Sequence, residues 1–163
     1  MLETQLKALV DHIKTRITLF GDNGFFVNVY KDNADNFQGV DDSKQNYFFV
    51  QQAPSDKANE YFFDKVIDTC DSYEVETDCL FVAGLQCPIL DTAIVALASA
   101  LHTFDAFNVT IDNVSTNSEN IYKELYGENY QREEQLILIK FKVKYLFQAF
   151  EYCDNDFCGD CCD

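Results

Sequence analysis

The chain has 163 residues, with 28 Asp and Glu against 12 Lys and Arg, for a formal net charge of −16 at pH 7. That sign repels a phosphate backbone and an anionic membrane surface at long range, which argues against a nucleic-acid grip and against membrane docking. Apolar residues make up 47%, including 15 Phe and 9 Tyr, which excludes a disordered acidic chain and leans toward one domain of ordinary size containing a sheet.

In chain order, Leu2, Leu6, Leu9, Val10, Ile13, Ile17 and Phe20 follow the 3-4 spacing of one apolar helix face, so a helix is predicted over 2–20, ended by Gly21-Asp22-Asn23-Gly24. Glu3, Lys7, Asp11, Lys14 and Arg16 interrupt that segment. It therefore lacks the unbroken apolar core of a secretion signal, and synthesis in a reducing cytoplasm is expected. Strands are predicted over 25–30 and 47–52, separated by a polar loop over 31–43, with Pro54 breaking the second. Residues 61–69 are apolar on both parities, with strand ahead of helix. Over 73–83, Tyr73, Val75, Thr77, Cys79, Phe81 and Ala83 alternate with Glu74, Glu76 and Asp78 until Leu80 and Val82 make both faces apolar.

A second helix is predicted over 85–104, with Pro88 in its first turn and Ala93, Ala96, Ala98 and Ala100 making it slim. Its nearly continuous apolar surface calls for a sheet on one side and a second cover on the other, for which a neighbouring subunit is the natural candidate. Phe107, Val109 and Ile111 predict a strand, 118–126 a short helix stopped by Gly127, and 135–147 a strand about twice the usual length. The order implies an α+β fold: an antiparallel sheet packed with an N-terminal helix and a central Ala-rich helix. Residues 1–147 form a single domain and 148–163 an acidic, Cys-rich tail.

The seven cysteines cannot all pair within one chain. Cys70, Cys79 and Cys87 lie in apolar segments and read as small buried hydrophobes. Cys153, Cys158, Cys161 and Cys162 contain a Cys-x-x-Cys spacing, as in zinc sites, but crowd into one short run with Cys161 and Cys162 adjacent. We read them as part of the tail and expect no metal or other cofactor. Surrounding Asp154, Asp156, Asp160 and Asp163 disfavour a reactive thiolate.

His12 and His102 lie in separate helices, the glycines form no phosphate loop, and adjacent acids mean little where acids are so common. No enzyme is expected. Asn108-Val-Thr and Asn113-Val-Ser match the glycosylation pattern but read as chance without a secretory route. Lys140, Lys142 and Lys144 form a basic stripe on one strand face. It is either a solubilising exposed face or a surface complementary to Glu74, Glu76 and Asp78 of a neighbouring subunit; the chain's charge disfavours a nucleic-acid strand as its partner.

The element order, with the stretches Tyr73-Glu-Val-Glu-Thr-Asp-Cys-Leu-Phe-Val-Ala83, Asn120-Ile-Tyr-Lys-Glu-Leu-Tyr-Gly127 and Gln135-Leu-Ile-Leu-Ile-Lys-Phe-Lys-Val-Lys-Tyr145, resembles the tailed-bacteriophage neck proteins. Within them it is most similar to the tail-terminator, or tail-completion, proteins of crAss-like phages of gut Bacteroidetes. The resemblance covers 1–147. It implies a structural virion protein, assembled in the host cytoplasm, that forms a homo-oligomeric ring, usually of six or twelve copies, in the neck or tail. Such a head–tail connector or tail terminator contacts other neck and tail proteins, while DNA passes through without sequence-specific binding. Head-to-tail ring closure needs two different faces on each subunit, and the acidic and basic rows are the candidates. The alternative is an acidic binding module, such as a DNA-mimic inhibitor of a host nucleic-acid enzyme.

Overall fold

Leu6, Leu9, Val10 and Ile13 recur at helical spacing and are all buried on helix α1 (Leu2–Arg16). The helix stops four residues short of the expected end because Ile17 turns extended, at φ −124° and ψ 98°. A 3₁₀ turn over Thr18–Phe20 follows, and its tighter winding still returns Phe20 to the core three residues after Ile17. Gly21, at φ +52°, then closes the corner.

The computed structural model describes residues 2–27, 45–52, 62–65, 72–86, 90–127 and 133–148. Among them, six strands form one sheet: β1 (Gly24–Val27), β2 (Tyr47–Gln52), β3 (Phe62–Lys65), β4 (Ser72–Leu85), β5 (Asn108–Ser115) and β6 (Gln135–Gln148). The remaining helices are α2 (Leu90–His102) and α3 (Ser118–Tyr126). The α+β expectation holds. The sheet is mixed rather than wholly antiparallel, because β1 lies parallel to β2 while every other pair is antiparallel. The order across the sheet is β1-β2-β4-β6-β5, with β3 also paired to β4. Gln148, the first residue of the expected tail, is the last of β6 and pairs with Ser72; the rest of that tail and the expected loop over 31–43 lie outside the described residues, as do 28–30, 53–61 and 66–71.

The β4–β6 ladder is the spine. It runs from Leu85 opposite Gln135 to Ser72 opposite Gln148. This pairing draws Leu85 into the strand, so α2 starts later than the apolar run suggests. β5 extends past Ile111 to Ser115 because a bulge at Asp112 resets its alternation, which keeps Val114 on the core side.

One sheet face presents Phe48, Val50, Val75, Cys79, Phe81, Ile139, Phe141 and Val143 to α1 and α2. Phe20 meets Phe48 edge-on at 4.8 Å between centroids, and Phe48 stacks on Phe81 at 5.3 Å. Leu97, Ala100 and Leu101 of α2 are buried, while Asp91, Thr92, Val95, Ser99 and His102 point outward. Packing against α1 thus supplies much of the second cover expected from another subunit, and the large apolar side chain left exposed on α2 is Val95. His12 Nε2 lies 3.1 Å from both the Ala100 carbonyl and Thr103 Oγ1, which ties α1 to the end of α2. A carbonyl only accepts, so that nitrogen carries the hydrogen.

The opposite face is covered over part of its length by α3, whose Ile121 packs with Tyr47, Phe49, Leu80, Val82, Leu136 and Leu138. Asn117 caps this helix by accepting from the Asn120 amide at 3.1 Å. Gly127, at φ +71°, ends it by donating to the Lys123 carbonyl at 2.8 Å.

Gly84 sits under the buried Tyr47 ring, where a Cβ would fall 2.4 Å from ring carbons. The ring is held in place because Tyr47 Oη donates to the buried Glu134 Oε1 at 3.1 Å. Gly84→Ala is therefore expected to cost about 1–3 kcal/mol by overpacking. Gly127→Ala, strained only by its positive φ, should cost about 1 kcal/mol. Thermal and urea unfolding followed by circular dichroism checks both values.

Candidate functional site

Both charged rows lie on the α3 side of the sheet, beyond the helix. Along β6, Leu136 and Leu138 are buried, then Lys140, Lys142 and Lys144 are half-exposed. Along β4 the same switch runs in reverse, from buried Val82 and Leu80 to Asp78, Glu76 and Glu74. Antiparallel pairing superposes the two switches, with Leu80 opposite Lys140, Asp78 opposite Lys142 and Glu76 opposite Lys144. The acidic and basic rows therefore meet within one chain, side by side on one face, and are not two opposed faces of the subunit.

The ion pairs are diagonal. Lys144 Nζ reaches Glu74 at 2.5 Å and Lys142 Nζ lies 3.8 Å from Glu76, each one step beyond its direct opposite. Sheet twist brings that diagonal within reach of a long side chain. Lys140, facing apolar Leu80, turns instead to Glu124 of α3. Glu124 was not singled out in the sequence; the i, i+3 and i+4 pattern of α3 that puts Ile121 and Leu125 toward the sheet leaves Glu124 at its margin. Asp78 has no lysine within ion-pair distance among the described residues and stays exposed. On the neighbouring strand, Asn108 and Thr110 stand opposite Lys144 and Lys142, so the face is polar across three strands.

Among the described residues, the remaining sequence candidates do not gather around it. Cys153, Cys158, Cys161 and Cys162 lie outside the described residues, as do Cys70 and Cys87. Among the described residues no three His, Cys, Asp or Glu side chains stand close enough to hold a metal ion. His12 is engaged at the end of α2 and His102 is exposed on the same helix. Cys79 points into the core at 1% exposure, where burial, reinforced by adjacent Asp78, pushes its thiol far above the usual range. No described helix is long and apolar enough to cross a membrane.

The face thus carries acids and lysines in diagonal pairs, flanked by exposed Asn108 and Thr110. No protein-family pattern matches the chain, and no curated protein is similar to it.

Two outcomes follow from this geometry. A double-mutant cycle on Glu74→Ala and Lys144→Ala should give a coupling of about 0.2–1 kcal/mol at low salt that fades in molar salt, because both side chains are partly solvated. In alkylation with peptide mapping, Cys79 should stay unmodified in the folded chain and react only after denaturation.

Proposed function

We propose that this chain is a structural ring protein of a tailed-phage neck or tail, a head–tail connector or tail terminator. The reading is non-enzymatic. It rests on the resemblance over 1–147 and on the α+β order of elements, and one observation carries it against the runner-up: the interleaving of lysines and carboxylates on one sheet face.

A DNA mimic presents phosphate-like rows of uncompensated carboxylates. Here Glu74 and Glu76 are each met by a lysine, and Lys140 is met by Glu124, so this acidic row is a poor imitation of a phosphate strand. Lys7 and Lys14 are likewise drawn to Glu3 and Asp11. With these bases held by internal partners, the excess of −16 dominates what a passing duplex meets. A wall of that sign surrounds DNA without gripping it. The same alternation suits contact with protein neighbours, where patterned charge sets register and excludes wrong partners. Partners in this reading are further copies of the chain and other neck and tail proteins, in a virion assembled in the host cytoplasm.

Light scattering and negative-stain microscopy of the purified full chain should find a discrete multiple of the 18.7 kDa subunit, visible as rings with a central opening. A strictly monomeric particle at high concentration overturns the reading, and so does stoichiometric capture of a host nucleic-acid enzyme by the monomer.

A further inference from the structure

The corner between α1 and β1 contains Asp22-Asn23-Gly24. At an Asn followed by Gly a chain can react with itself, because Gly has no Cβ to keep its amide nitrogen from the Asn side-chain carbonyl. The fold demands that glycine. A Cβ on Gly24 would fall 2.3 Å from the Phe48 ring and 3.0 Å from Lys14 Cε. Phe48 in turn joins Phe20 to Phe81 in the core, so a larger residue at 24 would displace a central ring.

The peptide unit between the two residues is aimed by the sheet. The Phe48 amide donates to the Asn23 carbonyl at 3.0 Å. In a trans peptide the N–H points opposite to the C=O. The Gly24 amide therefore turns away from β2, toward the edge that β1 forms among the described residues. Pairing with β2 leaves this nitrogen, the nucleophile, out of its hydrogen bonds. The electrophile is held separately. Asn23 Nδ2 donates to Gln45 Oε1 at 2.7 Å, and the Asn23 amide donates to the Phe20 carbonyl at 2.9 Å. Asn46 Nδ2 adds a tie to the Leu19 carbonyl at 3.3 Å. Gly24 is buried, whereas Asn23 is partly exposed.

We infer that Asn23 is a site of spontaneous deamidation, that its bond to Gln45 and the burial of Gly24 hold the reaction in check, and that conversion to isoaspartate frees β1 from β2. The Gly24 nitrogen attacks Asn23 Cγ. The N–Cγ bond forms, the Cγ–Nδ2 bond breaks, and the amide group leaves as ammonia with the proton from the Gly24 nitrogen. Water then opens the resulting succinimide at either carbonyl. Opening at Cγ gives an ordinary aspartate. Opening at the main-chain carbonyl gives isoaspartate, whose backbone runs through Cβ and Cγ. The carbonyl that accepted from the Phe48 amide is then a carboxylate off the main chain, and the added backbone atom shifts Gly24 against Phe48. Strand β1 is short, pairing only from Gly24 opposite Phe48 to Val27 opposite Gln51, so loss of its first contact loosens the whole strand. The β4–β6 ladder lies beyond β2 and is left intact.

The test follows the full chain in mildly alkaline buffer, native and in urea, by mass spectrometry of the tryptic peptide 17–31 and by isoaspartyl methyltransferase labelling. In urea, position 23 should accumulate isoaspartate. In native buffer the same conversion should be slower by about tenfold or more, because it waits on opening of the corner. Gln45→Ala removes the acceptor and should raise the native rate severalfold without changing the rate in urea. Gln45→Glu still accepts from Asn23 Nδ2 and should keep the native rate. Gln45 is exposed, so both variants are expected to melt as the wild type does. In the converted chain, hydrogen exchange at the Phe48 amide should quicken while the amides shared by β4 and β6 stay protected. Absence of conversion at 23 in urea overturns the site. Equal rates in urea and native buffer, or a native rate that Gln45→Ala leaves unmoved, overturn the restraint. Unchanged exchange at Phe48 in the isoaspartyl chain overturns the release of β1.

Discussion

The register between β4 and β6 governs this molecule. One antiparallel alignment satisfies three requirements together. It places Val75, Cys79 and Phe81 with Tyr145, Phe141 and Ile139 against α1 and α2. It sets Val82 opposite Leu138 and Gly84 opposite Leu136, so that Leu80, Val82, Leu136 and Leu138 gather under Ile121 of α3. It also sets acids beside lysines over the rest of that face. A slip of one residue would turn the core set to solvent. A slip of two would keep the faces but place Lys140 opposite Val82 and Lys142 opposite Leu80, setting two lysines against the apolar pair that packs with Ile121 of α3. The energetic weight of the register lies in the apolar matches; the exposed ion pairs add little stability and chiefly penalise wrong alignments.

That register also explains why one sheet face changes character along its length. α3 is short, running from Ser118 to Tyr126, and is held at the start of β6 by the Leu136 amide donating to Ser118 Oγ at 3.0 Å. It shields only what lies beneath it. Where it ends, Lys140 turns up to Glu124 on its flank and the face becomes polar. The boundary between core and polar surface on this face is thus set by the length of one capped helix, between Asn117 and Gly127. The proposed role draws on this division between the apolar core beneath α1 and α2 and the polar stretch on the opposite face.

Much of this was legible in the chain. The alternation in 73–83 and 135–147 identifies the two long strands, Gly127 marks the end of α3, and the 3-4 spacing identifies the buried stripe of α1. The differences have local causes. The 3₁₀ turn after Arg16 preserves the same apolar spacing that a continued helix would show. The bulge at Asp112 hides the second half of β5 from a strict period of two. Leu85 joins β4 because its partner strand is long enough to reach it. The apolar surface of the Ala-rich helix suggests an outside cover; α1 provides part of it from within the chain and Val95 stays exposed.

Periodicity is a property of neighbouring residues, so the sequence by itself determined which segments are helix or strand and which side of each is apolar. It also determined the charge excess and the existence of an acidic and a basic row. Only the tertiary structure decided that these rows lie on one face as diagonal ion pairs and that Glu124 completes them. Strand order, direction and register join residues tens of positions apart. Those choices are made by which apolar faces can be buried together, a condition on the whole chain that no local pattern contains.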